Sequence, residues 1–320
     1  MTRIKGGASA ASRILAGAFD SRAARWLGGA LVAQLAVAIG LELFDARRAE
    51  FVVPGPLLAL DAGAVDTIGI GDGESQVTLT RDALGSSEWT VMGGDGPALP
   101  AAAAAIDAQL DRLAGLDGGL PVATSAAARE QLEVADDDHQ RRVTLGSGGD
   151  TLATVFVGTS PGFRKAHVRL DGQDAIHAAE LDVFELPATL DGWLDKALLA
   201  VPEPTRIAGE GWAIESAEDG WTLVEAAEDE TLDDAAVQRL VDAVTGLRVT
   251  GTVESTGVPT GDATVLTVTG EGGGRTLTVR ADDDAPTVRR DDIDADFMLA
   301  PTTVDALTAD RDALLGTPDA

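Results

Sequence analysis

A chain of 320 residues with 53 acidic and 24 basic side chains, a formal net charge of −29, has a surface that repels nucleic acid and anionic lipid head groups. It contains no cysteine, which excludes disulfide frameworks, thiolate metal sites and cysteine nucleophiles. Hydrophobic residues make up 45%, yet aromatics only 4% and tyrosine is absent, so its cores are built from small aliphatic side chains.

Residues 1–25 are small and basic and read as a short cytoplasmic tail. The most apolar window of the chain follows, Trp26–Phe44, whose 19 residues span roughly 29 Å as a helix, the thickness of a bilayer's hydrocarbon core. A transmembrane helix is expected over 26–46. Five basic residues precede it (Arg3, Lys5, Arg13, Arg22, Arg25), whereas Arg47 and Arg48 follow among Asp45 and Glu50. The positive-inside rule therefore sets the N-terminus in the cytoplasm and the bulk of the chain outside an inner membrane, in an extracytoplasmic or periplasmic position. Beyond Ala49 the chain carries 17 basic and 50 acidic residues, net −33. Two alternatives compete. Ala36-Val37-Ala38 has the form of a signal-peptidase site, but it lies inside the apolar run rather than at its polar exit. The other alternative, a buried core helix, does not account for the arginine flanks.

After the prolines of Phe51–Pro56 the pattern changes to period two. Val65–Ile70 and Gln76–Thr80 alternate around Gly71-Asp72-Gly73, a hairpin signal, and Glu88–Val91 is a third short strand. Residues 101–116 switch to helical spacing, with Ile106, Leu110, Leu113 and Leu116 on one face. A second helix is expected over Ser125–Val134, then strands at 142–145, 152–157, 167–170 and 175–179.

From Asp191–Val201 onward the chain begins again. Leu57–Leu60 recurs as Leu198–Val201, Trp89-Thr-Val as Trp221-Thr-Leu, and Ile106, Leu110 and Leu113 as Val237, Val241 and Val244, 131 residues later. The hairpin 265–269/276–280 repeats 142–145/152–157 at a shorter offset, because the second copy lacks the extra helix. Thr231 is expected to cap the second copy's helix, and Thr302 or Thr303 a final helix through Leu315. The fold class is therefore α+β: an N-terminal transmembrane helix followed by two tandem repeats of mainly antiparallel sheet with a packed helix each, over 51–196 and 197–320.

The anchor, the Trp89 strand before an Ala-rich helix, the loop Gly158-Thr-Ser-Pro-Gly-Phe163 with His167-Val-Arg-Leu170, and Trp193-Leu-Asp-Lys-Ala-Leu-Leu199 together resemble the domain of unknown function 4340 family, over roughly residues 26–320. The resemblance implies a membrane-tethered extracytoplasmic accessory protein beside ABC-type export permeases and gliding-motility-type auxiliary proteins. It supplies no catalytic residues to carry over.

The chemistry of the chain is sparse. The loop at 158–166 offers Thr159, Ser160, Phe163, Arg164 and Lys165, with Arg169 nearby, a local cationic patch on an acidic chain and the candidate contact for a ligand or partner. It lacks the Walker pattern. His167 and His177 point to opposite sides if Gly172-Gln173 is a two-residue turn, and share a face if the loop is odd. The aspartate runs 136–138 and 282–284 lack the spacing of an EF-hand. No Gly-x-Ser-x-Gly occurs. No enzyme activity, cofactor or metal is expected. The function expected is contact with an ABC-type permease and auxiliary membrane proteins, without nucleic acid; the alternative is an extracytoplasmic ligand- or polysaccharide-binding module.

Overall fold

Strands form wherever apolar and polar residues alternate, and the apolar set turns to one side. β1 (Thr67–Gly71) and β2 (Gln76–Thr80) bury Ile68, Ile70, Val77 and Leu79 and leave threonine, glycine and glutamine outside. The structure, a computed structural model, describes residues 55–82, 88–227, 230–253, 262–282 and 285–316. The run Trp26–Phe44 lies outside these residues; among them no helix is long and apolar enough to cross a membrane.

The first sheet continues with β3 (Thr90–Gly93), β4 (Leu99–Pro100), β5 (Arg141–Ser147), β6 (Asp150–Val157), β7 (Ala166–Leu170) and β8 (Ile176–Ala179). Between β4 and β5 come helices α1 (Ala103–Ala114) and α2 (Ala126–Gln131). The second sheet comprises β9 (Arg206–Gly209), β10 (Trp212–Ala217), β11 (Gly220–Leu223), β12 (Val249–Thr252), β13 (Asp262–Gly270), β14 (Gly273–Ala281), β15 (Thr287–Arg290) and β16 (Asp296–Leu299), with α3 (Asp234–Thr245) between β11 and β12. Two short helices follow, α4 (Pro301–Leu307) and α5 (Arg311–Leu314).

Both sheets are antiparallel, with orders β4-β3-β2-β1-β5-β6-β7-β8 and β11-β10-β9-β13-β14-β15-β16-β12. Each has an opening meander, of four strands in the first sheet (β1–β4) and three in the second (β9–β11), then a helix and a four-strand meander joined to the first strand of the opening one. The registers correspond as well. Ile68 lies opposite Leu79 and Leu145, and Ile207 opposite Ile214 and Val268. Trp89 and Trp221 each precede the threonine that pairs with β2 or β10, Thr90 with Thr80 and Thr222 with Glu215. The helices bury matching stripes: Ile106, Gln109 and Leu113 in α1, Val237, Leu240 and Val244 in α3.

The copies differ at one edge. β12 completes the second sheet beside β16, whereas the segment after α1, interrupted by Gly118, Gly119 and Pro121, forms no strand there and meets β8 through the single Ala123–Ile176 bridge and the Gly118 O–His177 contact. Two expected caps are corrected. Asp233, not Thr231, caps α3 by accepting from Ala235 N and Ala236 N (2.8 and 3.2 Å), because the backbone of Thr231 and Leu232 is drawn into pairing with Leu315 and Gly316. The last helix starts at Pro301, whose fixed φ suits that position, and Thr302 and Thr303 fall inside it; a new cap at Asp310 divides it from α5.

Residues 187–198 join the two sheets. Leu194 bridges Ala101, Ala102 N donates to Trp193 O (2.8 Å) and Asp195 N to Pro100 O (3.0 Å), which tie the segment to the β4 edge. On its other side Val249 N donates to Lys196 O (2.9 Å), and Asp191 Oδ1 accepts from Thr252 N and the Thr252 hydroxyl (2.9 and 3.1 Å). Trp193 is buried beneath this splice and donates Nε1–H to Pro187 O (2.8 Å). Pro56–Ala320 form one compact unit, and one continuous core runs through both sheets. Trp193→Ala should cost about 3–5 kcal/mol and unfold both sheets in a single transition, measured by chemical denaturation.

Four carboxylates pin turns around the sheets, each held below its ordinary range. Asp66 accepts from Gly148 N and the Thr67 hydroxyl, Asp72 from Ser75 N, Glu230 from Ala227 N and Arg311, and Asp292 is held mainly by Arg290. A depressed carboxylate contributes stability above its unfolded pKa and loses it as pH falls through the folded value. The −29 charge acts the other way, since partial protonation of the many exposed acids relieves repulsion. Thermal midpoints should rise from pH 7 towards about pH 5 and fall steeply below about pH 4, with added salt raising the pH 7 value.

Candidate functional site

The loop between β6 and β7 is anchored by its backbone. Gly158 N donates to His167 O, His167 N to Thr159 O and Thr159 N to Leu132 O, each at 2.9 Å. A Cβ on Gly158 would lie 2.0 Å from Leu132 O, so only glycine lets the segment after α2 approach this strand. The hydroxyls are engaged inside the loop: Thr159 Oγ1 lies 2.9 Å from His167 Nδ1, and Ser160 Oγ donates to Gly162 O (2.7 Å).

At the tip, Lys165 N closes a turn on Gly162 O (3.2 Å), with Phe163 and Arg164 as its central residues. Arg164 has φ 51°, a left-handed conformation that glycine adopts more cheaply. Phe163 is 91% exposed, and Lys165 beside it is exposed as well. Arg164 Nη2 lies 3.1 Å from Glu185 Oε1, and Glu185 also pairs with Arg112 from the last turn of α1. Glu185 belongs to a 3-10 turn, Val183–Glu185, that Asp182 caps by accepting from Phe184 N (3.0 Å). That turn presents Phe184, 86% exposed. The other described phenylalanines, Phe156 and Phe297, are buried. A groove of about 380 Å³ lies between the two loops, lined by Arg112, Phe163, Arg164, Leu181, Asp182 and Glu185.

Of the residues expected at this site, the structure gathers Phe163, Arg164 and Lys165 at the tip, folds Thr159 and Ser160 into the loop and takes Arg169 away from it. Arg169 is 2% exposed. Its Nε donates to Val134 O (2.7 Å), its guanidinium lies 4.5 Å from the Phe156 ring centroid, and it pairs with Asp136. It is a clamp that holds the segment after α2 on the outer face of the first sheet. In the second sheet Arg289 takes the same register position, exposed and paired with Asp294 and Asp296.

Arg112, Phe184 and Glu185 were not legible as site residues, since they are far apart in the chain or marked only by one phenylalanine between acids. His167 lies opposite Ala178 and His177 opposite Val168, the register of the two-residue turn, so the imidazoles leave opposite faces; His177 is buried against Gly118 O (2.9 Å). Asp136 serves the Arg169 clamp, and Asp283 and Asp284 lie outside the described residues. Among the described residues no group of three or more His, Cys, Asp or Glu is placed to hold a metal ion.

A second concave surface lies on the outer face of the first sheet, a trough of about 320 Å³ over β1, β2 and β5. Its lining combines Gly69, Gly71 and Gly146 with the side chains of Thr67, Thr78, Thr144 and Thr151 and the polar groups of Gln76, Arg142 and Asp150.

Two helix-backed antiparallel sheets with an aromatic, ion-paired surface groove define an α+β protein whose distinctive groups lie on its surface. The domain of unknown function family DUF4340 matches residues 95–268, more than half of the chain, and the chain belongs to that family. The match runs from the turn after β3 through the splice and into β13. No curated protein and no solved structure matches the chain.

The clamp and its exposed counterpart make a paired prediction. Arg169→Leu strands Val134 O and should cost about 2–3 kcal/mol in chemical denaturation, with faster amide exchange concentrated in 122–136. Arg289→Leu, at a solvated ion pair, should stay within about 0.5 kcal/mol.

Proposed function

We propose that the protein is a single-pass, membrane-anchored extracytoplasmic accessory of an ABC-type transport system that acts by protein–protein contact. One observation carries the contact: Phe163, at an ion-paired groove, and Phe184, on the turn whose Glu185 pairs with Arg164, are both more than four-fifths exposed. Exposed large aromatics rimmed by polar groups are the usual mark of an interaction site, and aromatic and arginine side chains dominate the energetics of such surfaces. Trp26–Phe44 is the anchor, with the N-terminus in the cytoplasm and the acidic bulk of the chain outside the inner membrane, supported by the basic flank of the run.

A second reading, an extracytoplasmic ligand- or polysaccharide-binding module, is favoured by the trough on the first sheet.

The test is co-purification from membranes in mild detergent. The wild-type chain should bring a permease or auxiliary membrane protein with it, and a Phe163→Ser/Phe184→Ser double variant should lose it without a change in thermal midpoint. Recovery of the chain alone, or equal recovery of the partner with both proteins, sinks the contact. A reporter fused at Ala320 that reads cytoplasmic removes the topology.

A further inference from the structure

The trough differs from the corresponding surface of the second sheet, and at Gly69 the difference is one the fold does not require. Glycine inside a strand is less stable than alanine there and marks places where another group comes close to the backbone. None of Gly69, Gly71 and Gly146 has a positive φ. A Cβ on Gly69 would meet nothing nearer than Thr144 Cβ at 3.8 Å, an ordinary contact.

The second sheet serves as an internal control. Gly69 lies between Thr78 and Thr144, and in the same place Ala208 lies between Ala213 and Thr267. Thr269 replaces Gly146, the ion-paired Arg206 and Glu215 replace Thr67 and Thr80, and Val265 replaces Arg142. Gly146 lies at a register shift that the second sheet lacks, and a Cβ there would lie 3.2 Å from Asp150 O, so its glycine is explained locally; at the Gly69 position the same architecture tolerates a side chain and carries one in the second copy. The first copy leaves Gly69 without a side chain between Thr78 and Thr144 and places an arginine nearby.

We propose that the trough binds a neutral saccharide unit, an inference that rests on the second reading above. Arg142 is exposed and forms no ion pair among the described residues, so its fork is available to donate to hydroxyl oxygens, as is the Gln76 amide. Asp150 accepts from hydroxyls. The two charges cancel, and the −29 chain disfavours an anionic ligand. Gly69 leaves a gap between Thr78 and Thr144 into which the C–H face of a sugar ring can settle, with the threonine hydroxyls beside it. Its 320 Å³ is at the small end of ligand sites, enough for one or two rings. With no aromatic in the lining to stack on, affinity should be in about the millimolar range.

The experiment is saturation-transfer NMR on the full chain in detergent, with neutral gluco-, galacto- and manno-oligosaccharides and one uronate oligosaccharide as probes. At least one neutral oligosaccharide should give transfer, with the uronate weaker. Gly69→Ala should weaken binding about tenfold while the thermal midpoint holds or rises, and Arg142→Leu should weaken it by a similar factor. No transfer from any probe overturns both the trough assignment and the module reading. Undiminished binding by Gly69→Ala and Arg142→Leu overturns the trough alone and leaves the module reading standing. A uronate preference overturns the neutral class.

Discussion

The structure depends on one segment of chain that hydrogen-bonds in two directions. Residues 191–196 pair with Pro100–Ala102 at the edge of the first sheet and with β12 at the edge of the second. Sheet edges leave rows of unpaired donors and acceptors, and a protein of two sheets has four of them to cover. Here two edges are covered by the same residues. The arrangement constrains its surroundings: Gly251 has to be glycine because a Cβ would lie 2.5 Å from Asp191 Oδ2, and Trp193 fills the space under the splice with its indole N–H satisfied by Pro187 O. The core then runs continuously from one sheet to the other, so the two halves behave as one unit.

Duplication lets one half explain the other. Across the first sheet's outer face the register row Arg142–Phe156–Arg169–Ile176 corresponds to Val265–Thr278–Arg289–Asp296 in the second. Where the segment containing α2 covers the face, Phe156 and Ile176 are apolar and buried with Val134. At the uncovered counterparts, threonine and aspartate meet solvent. Arginine is kept in both, but its environment sets its role. Under the cover it is desolvated, stacked on Phe156 and hydrogen-bonded to backbone; in solvent it is one exposed partner in a loose ion pair worth little.

Much of this was legible in the sequence because it is local. Alternation located the strands and the 131-residue offset paired the helices; of the two registers left open for the β7–β8 loop, the structure has the one that separates His167 from His177, with its turn closed from Gln173 N to Leu170 O. What was not legible depends on distant partners. Arg169 resembles a surface cation when read beside Arg164 and Lys165; only the fold brings Val134 and Asp136 over it. Break of alternation at Val155-Phe156-Val157 was the available clue, since three consecutive buried residues in one strand mean that both faces are covered. Helix starts were misplaced for a similar reason. Thr231 has a capping side chain, but its backbone is taken up by pairing with Gly316, and Asp233 is the next residue able to cap.

At the groove beside Phe163, stability and sequence disagree. A tight turn with a left-handed third position favours glycine, yet the chain has Arg164 there, with Phe163 in front of it almost wholly in water. Neither choice stabilises the fold. Both are retained in an arrangement that limits their freedom: Glu185 holds Arg164 on one side and Arg112 of α1 on the other, and the Asp182 cap fixes the turn that carries Phe184. Ion pairs this exposed add little to folding. They tie the β6–β7 loop, the 3-10 turn and the end of α1 to one another. Phe163 and Phe184 thus stand in water on loops joined by ion pairs, an arrangement that the packing of the fold does not account for.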